Sequence, residues 1–148
     1  DEAARNPQRE GPRHLVRISQ GFWLADTTCT QAFWQAVMKE NPSYFKGDDQ
    51  RPVEQVSWLD AQELTKQMEA LGLAGADLPT EAEWEYACRA GTDTPFHFGE
   101  RIDPGKANYD DAGGEKGEYR ERTVPVKALP ANDWGLYQMH GNVWEWCK

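Results

Sequence analysis

The segment from Asn132 to Lys148, NDWGLYQMHGNVWEWCK, constrains the fold of this chain more than any other stretch, because it concentrates three of the seven tryptophans among glycines and asparagines. A buried Trp brings a large apolar body and an indole N–H that needs an acceptor. Gly135 and Gly141 allow backbone turns and close approaches that side chains forbid. Together they predict a packed, tightly looped segment with little regular structure, of a kind rarely found at the end of a domain.

The rest of the chain reads as one domain. At 148 residues it is long enough to bury a sizeable core. Residues 1–13 form a polar tail and 14–148 the domain. HLVRIS (14–19) alternates in the strand manner, and with FWLADT (22–27) beyond Gly21 it reads as a strand pair or one bent strand. Thr30 is placed to cap a helix with Phe33, Trp34, Val37 and Met38 on one face, stopped by Asn41-Pro42. Ser57, with Asp60 three positions on, predicts a second helix buried along Leu64, Met68 and Leu71 and ended by Gly72. A third follows Leu78-Pro79: Thr80 and Glu83 form a capping box, Trp84, Ala87 and Cys88 face inward, and Gly91 closes it.

Residues 92–122 have no helical or strand period and are rich in Gly, Pro, Asp and Glu. They read either as disorder or as a long loop pinned by Phe96, Phe98, Tyr109 and Tyr119, with a bound metal as one ordering agent. TVPVKAL (123–129) reads as a short strand, placed at an edge by Pro125.

Charge narrows the partners. Sixteen basic against 25 acidic residues leave a net −9, with no basic stripe, so nucleic acid is excluded as a partner. No apolar run is long enough to span a membrane, and no signal pattern is visible. The acidic surplus either serves solubility or includes carboxylates that hold Ca²⁺. Cys29, Cys88 and Cys147 are too scattered for a zinc site. Three buried thiols, one disulfide plus a free thiol, and bonds to cysteines on further sequence all remain open.

Four strings, RPVEQVSWLDA, LPTEAEWEYACRAG, KGEYRERTVPV and NDWGLYQMHGNVWEWC, occur here in the order and spacing of the formylglycine-generating enzyme family, also called the sulfatase-modifying-factor domain, which the chain resembles from GPRHLVRISQGFWL onward. The resemblance implies a mixed α+β fold similar to C-type lectin-like domains, with short helices, few strands and much irregular loop. Such domains begin with a strand upstream of the position of Asp1 and continue past the GNVWEW motif. In the oxidases themselves, the cysteine pair that binds copper lies in that continuation, and soft thiolates suit Cu(I). None of the three cysteines here matches that pair. The equivalent of Cys88 forms a disulfide in some relatives, and no catalytic role attaches to Cys147. Sulfoxide synthases of the wider superfamily use histidine-bound iron; His14, His97 and His140 are dispersed along the sequence and read as packed or surface residues.

The resemblance also implies two Ca²⁺ sites. One uses a side-chain oxygen at Gln138, carbonyls of Gly141 and Val143, and the carboxylate of Glu145. Gln138 departs from the usual Asp or Asn, so this ligand is longer and neutral. The alternative is a purely structural turn stapled by Trp144 and Trp146. The second site uses side-chain oxygens of Asn108 and Glu118, with Asp110 or Asp111 as substitutes, and carbonyls of Tyr109 and Arg120. Two functions follow as expectations: a Ca²⁺-stabilised, non-catalytic scaffold that binds a protein or peptide ligand, or a copper-dependent oxidase that converts a sulfatase cysteine to formylglycine, with its cysteines on sequence beyond this chain. The scaffold is the leading reading.

Overall fold

The structure, a computed structural model, describes residues 12, 14–110 and 120–148. Most of the polar tail, and Asp111 and Glu118, lie outside these residues. Three short helices form where the capping chemistry predicts: α1 (Gln31–Met38), α2 (Trp58–Ala70) and α3 (Glu81–Arg89). The Thr30 hydroxyl accepts the Phe33 N–H at 3.1 Å. Ser57 with Asp60, and Thr80 with Glu83, close full capping boxes in which each side chain takes the other residue's backbone N–H. These bonds satisfy donors that a helix start leaves without intrahelical partners.

The helix ends differ in detail from expectation. α1 stops at Met38, ahead of Asn41-Pro42, because Lys39 turns into the left-handed region at φ 67°. Past α3, Ala90 and Gly91 both take positive φ, 46° and 85°, so the reversal begins one residue before the glycine. Leu71, expected in the buried stripe of α2, is 67% exposed: it is the cap residue, already outside the helical face that carries Leu64.

Two apolar clusters hold the domain. Trp34, Val53 and Leu64 are buried between α1 and α2, with Val37, Met38, Val56 and Met68 packed around them. Ala87 and Cys88 of α3 pack on Leu136 and Met139 of the C-terminal loop, with Leu24 and Trp84 at the margin. Asn132 joins this second cluster to the backbone. Its amide nitrogen donates to the Ala87 and Cys88 carbonyls, and its oxygen accepts the Trp134 and Leu136 N–H groups. One side chain thus satisfies carbonyls at the end of α3 and a loop that has no ladder of its own.

Among the described residues no strand ladder forms, only isolated bridges such as Thr30 with Pro52 and Ala131 with Tyr137. The strands expected at 14–19, 22–27 and 123–129 are therefore corrected to irregular backbone. Leu15 and Val16 are 98% and 50% exposed, so the alternation there faces no core. In 123–129, Val126 donates to the Gln50 carbonyl and Ala128 turns back onto Pro125, while side chains take the place of a partner strand at Val124.

Candidate metal centre

The C-terminal segment lies over the starts of α2 and α3. The Trp58 indole donates to the Cys147 carbonyl at 2.9 Å, and the Trp146 indole donates to the Val56 carbonyl at 3.1 Å. Lys148 N–H reaches the Pro79 carbonyl, and its ammonium pairs with Asp77 at 2.8 Å. Trp146 thus fastens this segment. Trp144 does not, being fully exposed, so its place in the expected aromatic staple is corrected.

Within this frame, Gln138 is 4% exposed and sits at φ 56°. Its amide nitrogen donates to the Pro125 carbonyl at 2.7 Å, which fixes the flip of the side chain. The amide oxygen is buried and has no partner among the described residues. An unmade hydrogen bond at a buried acceptor costs about 1–3 kcal/mol, so such an oxygen is the kind of group that a cation can satisfy.

Glu145, at the far end of the same turn, is part-buried and accepts the Trp84 indole N–H at 3.1 Å. Burial pushes its carboxyl above the usual range, and the Trp84 bond only partly offsets this. Among the described residues no Lys or Arg pairs with it. A carboxylate desolvated without a cationic partner favours an added cation. Among those residues no three His, Cys, Asp or Glu side chains gather to hold a metal. Ca²⁺ does not require such a cluster, since amide and backbone carbonyl oxygens serve it well.

Gly141 joins this turn to the Asn108 segment. A Cβ added at Gly141 would overlap the Asn108 carbonyl oxygen and lie 3.0 Å from its carbon, so only glycine fits. Asn142, at φ 80°, donates its N–H to that same carbonyl at 2.6 Å. Its side-chain oxygen accepts from Asn108 Nδ2 at 3.0 Å and from Val124 N–H at 2.9 Å, and its Nδ2 donates to the Val124 carbonyl at 3.0 Å. Asn108 Nδ2 also donates to the Arg122 carbonyl, leaving Oδ1 as the side-chain atom able to bind a cation.

The second expected site is placed less completely. Asn108 and Tyr109 adjoin each other on an open cleft of about 350 Å³ that also involves Phe45, Asp110, Thr123 and Asn142. The Arg120 guanidinium donates to the Pro104 carbonyl. Glu118 and Asp111 lie outside the described residues.

Sequence reasoning missed two features. Asn142 is the hub of the junction, and the only signal for it was an Asn beside the glycine of the HGN turn. His97 and His140, distant in sequence, stack with centroids 5.0 Å apart, and His97 N–H donates to His140 Nε2 at 3.1 Å. Burial depresses both imidazoles, His140 to about 4. Cys88 Sγ lies 3.7 Å from the His140 ring and donates to the Met139 carbonyl. Burial pushes the Cys29 and Cys88 thiols up to about 12 and raises Cys147 as well. All three thiols are free and protonated at neutral pH.

Three capped helices, a loop-rich second half and a Trp-fastened HGN turn make up the domain, and its fold is the α+β one of the solved structures it superposes on. The chain belongs to the family described as the sulfatase-modifying factor enzyme 1-like domain, whose model matches residues 2–148. It is 37% identical over 131 residues to the formylglycine-generating enzyme of Mus musculus, covering 77% of this chain and 33% of that protein. It is 39% identical over 101 residues to the "Inactive C-alpha-formylglycine-generating enzyme 2" of Bos taurus, covering 64% of this chain and 32% of that protein. The chain therefore spans about a third of the length of these curated relatives. Among solved structures, PvdO from Pseudomonas aeruginosa superposes with a TM-score of 0.82 at 27% identity, over 100% of this chain and 64% of that one.

Proposed function

We propose that this chain is a calcium-stabilised, non-catalytic scaffold that binds a protein or peptide ligand. The observation that carries the metal reading is the buried oxygen of Gln138, unpartnered among the described residues, in the turn that also bears Glu145. Gln138, Glu145 and the carbonyls of Gly141 and Val143 would hold the ion. Bound Ca²⁺ would balance the Glu145 charge and tie both ends of the turn together, which couples metal to folding. A second ion would be held by Asn108, Tyr109, Arg120 and Glu118.

The absence of catalysis rests on the thiols. None of Cys29, Cys88 and Cys147 matches the copper-binding pair of the resembled oxidases, and burial, which raises all three thiols, works against the thiolate form that reacts. The cleft beside Phe45 and Tyr109 offers an aromatic wall with both signs of charge, a lining suited to a peptide.

The second reading, a copper-dependent oxidase acting on a sulfatase cysteine, draws on the likeness to the Mus musculus enzyme and takes its cysteine pair from sequence outside this chain. One assay separates the two. The full-length protein is supplied with copper, oxygen and a peptide containing Cys-x-Pro-x-Arg. The scaffold reading expects no aldehyde product, and aldehyde formation above the copper-only control overturns it.

A further inference from the structure

We infer that Asn142 is a positioning residue through which calcium on the 138–145 turn stiffens the cleft wall at residues 122–124. This rests on the calcium reading above. Asn142 stands between Gly141 and Val143, whose carbonyls are the proposed ligands, so fixing those two peptide units fixes the Asn142 backbone. The residue is not itself a ligand in that set. Its side chain is bonded to Val124 and Asn108.

The chemistry of that contact explains how order is passed on. The Asn142 amide accepts the Val124 N–H at 2.9 Å and donates to the Val124 carbonyl at 3.0 Å. A primary amide here imitates the paired peptide group that a neighbouring strand would supply. Segment 123–126 has no ladder of its own: Arg51 binds the Thr123 carbonyl, Gln138 the Pro125 carbonyl and Gln50 the Val126 N–H, while at Val124 both backbone groups are bonded to the Asn142 side chain, so order at Val124 itself depends on how firmly Asn142 is held. Thr123 and Asn142 both line the cleft, and the Thr123 side-chain oxygen is buried without a partner among the described residues. Calcium acts on the cleft to the extent that it binds the ordered turn better than the loose one.

Amide hydrogen exchange at Val124, measured on the full chain with and without Ca²⁺, tests this directly. Calcium is expected to slow exchange at Val124 at least about fivefold, the lower end of ordinary coupling between sites. Asn142→Gly keeps the positive φ and the backbone bond to Asn108 and removes only the side chain. In this variant calorimetry should still show Ca²⁺ binding, with the slowing at Val124 abolished. If the slowing persists, Asn142 is not the link.

Where Asn142→Gly fails to fold or loses the ion, Asn142→Asp carries the test. It retains the acceptor for Val124 N–H but sets an oxygen against the Val124 carbonyl, so binding should persist with reduced slowing. Unchanged slowing overturns the inference. Wild-type binding without any slowing also overturns it while leaving the calcium reading intact, whereas no binding by the wild type removes both.

Discussion

Gly141→Ala should destabilise this chain far more than a single methyl group ordinarily does. The added carbon would collide with the Asn108 carbonyl, which is backbone and cannot rotate away as a side chain could. Relief requires moving the 107–109 segment or the turn itself. Either movement stretches the 2.6 Å bond from Asn142 N–H to Asn108 and the two side-chain bonds, at 3.0 Å each, that Asn108 Nδ2 makes to Asn142 and Arg122. Each such bond is worth about 1 kcal/mol net, and overpacking alone costs about 1–3 kcal/mol. The two costs trade against each other, since a shifted segment loses bonds but escapes the clash, so the expected loss is about 2–4 kcal/mol. For a chain of this size that lowers the melting temperature by about 4–16 °C. Urea unfolding followed by tryptophan fluorescence reads the change as a lower midpoint at constant slope. Gly21→Ala is the control, because nothing lies within 4 Å of its added carbon. If the two variants fall within about 0.5 kcal/mol of each other, the close approach at Gly141 does not hold the junction together.

Other outcomes follow from single groups. Glu145→Gln should have opposite effects with and without metal. Its carboxyl is raised above the unfolded value, so ionisation as pH rises through that window costs the metal-free fold stability, and the neutral variant should melt higher at neutral pH in chelator. The same variant should gain less from added Ca²⁺ than the wild type; equal gains would remove Glu145 from the ligand set. Thr80→Ala should cost about 1 kcal/mol by opening the α3 capping box, read by thermal melting, and a change below the scatter of repeat melts would deny the box that role. Iodoacetamide at pH 8 should modify Cys147 before Cys88, which is buried in the α3 cluster; mass spectrometry showing Cys88 labelled first in the folded protein would contradict the packing.

Local capping grammar is fully legible in the amino-acid sequence. Thr30, Ser57 and Thr80 start their helices where expected because a cap is written in four adjacent residues and depends on nothing distant. The strand readings failed for the converse reason. Alternation in HLVRIS predicts a face but not a partner, and none is present among the described residues. At TVPVKAL the partner of Val124 is a side chain, which no periodicity reveals. The tryptophans were partly legible: their number announced an anchored segment, yet only contacts separate Trp146, which finds the Val56 carbonyl, from Trp144, which faces solvent. Gln138 and Glu145 came from a family resemblance, and the structure adds the physical state of each, an unpartnered buried oxygen and a carboxylate with no Lys or Arg beside it among the described residues. Asn142 needed three-dimensional information, since its bonds reach 18 and 34 residues along the chain.

The proposed binding of calcium at the 138–145 turn is tested most directly by the melting temperature of this chain in chelator and in a series of Ca²⁺ concentrations, for wild type and Gln138→Ala. Binding to the folded state alone stabilises by about 2.7 kcal/mol at a hundredfold excess over the dissociation constant, so the wild-type midpoint should climb steadily with Ca²⁺. Gln138→Ala should climb much less, and Mg²⁺, which resists dehydration, should not substitute. A wild-type midpoint that stays at its chelator value through millimolar Ca²⁺ would contradict the account.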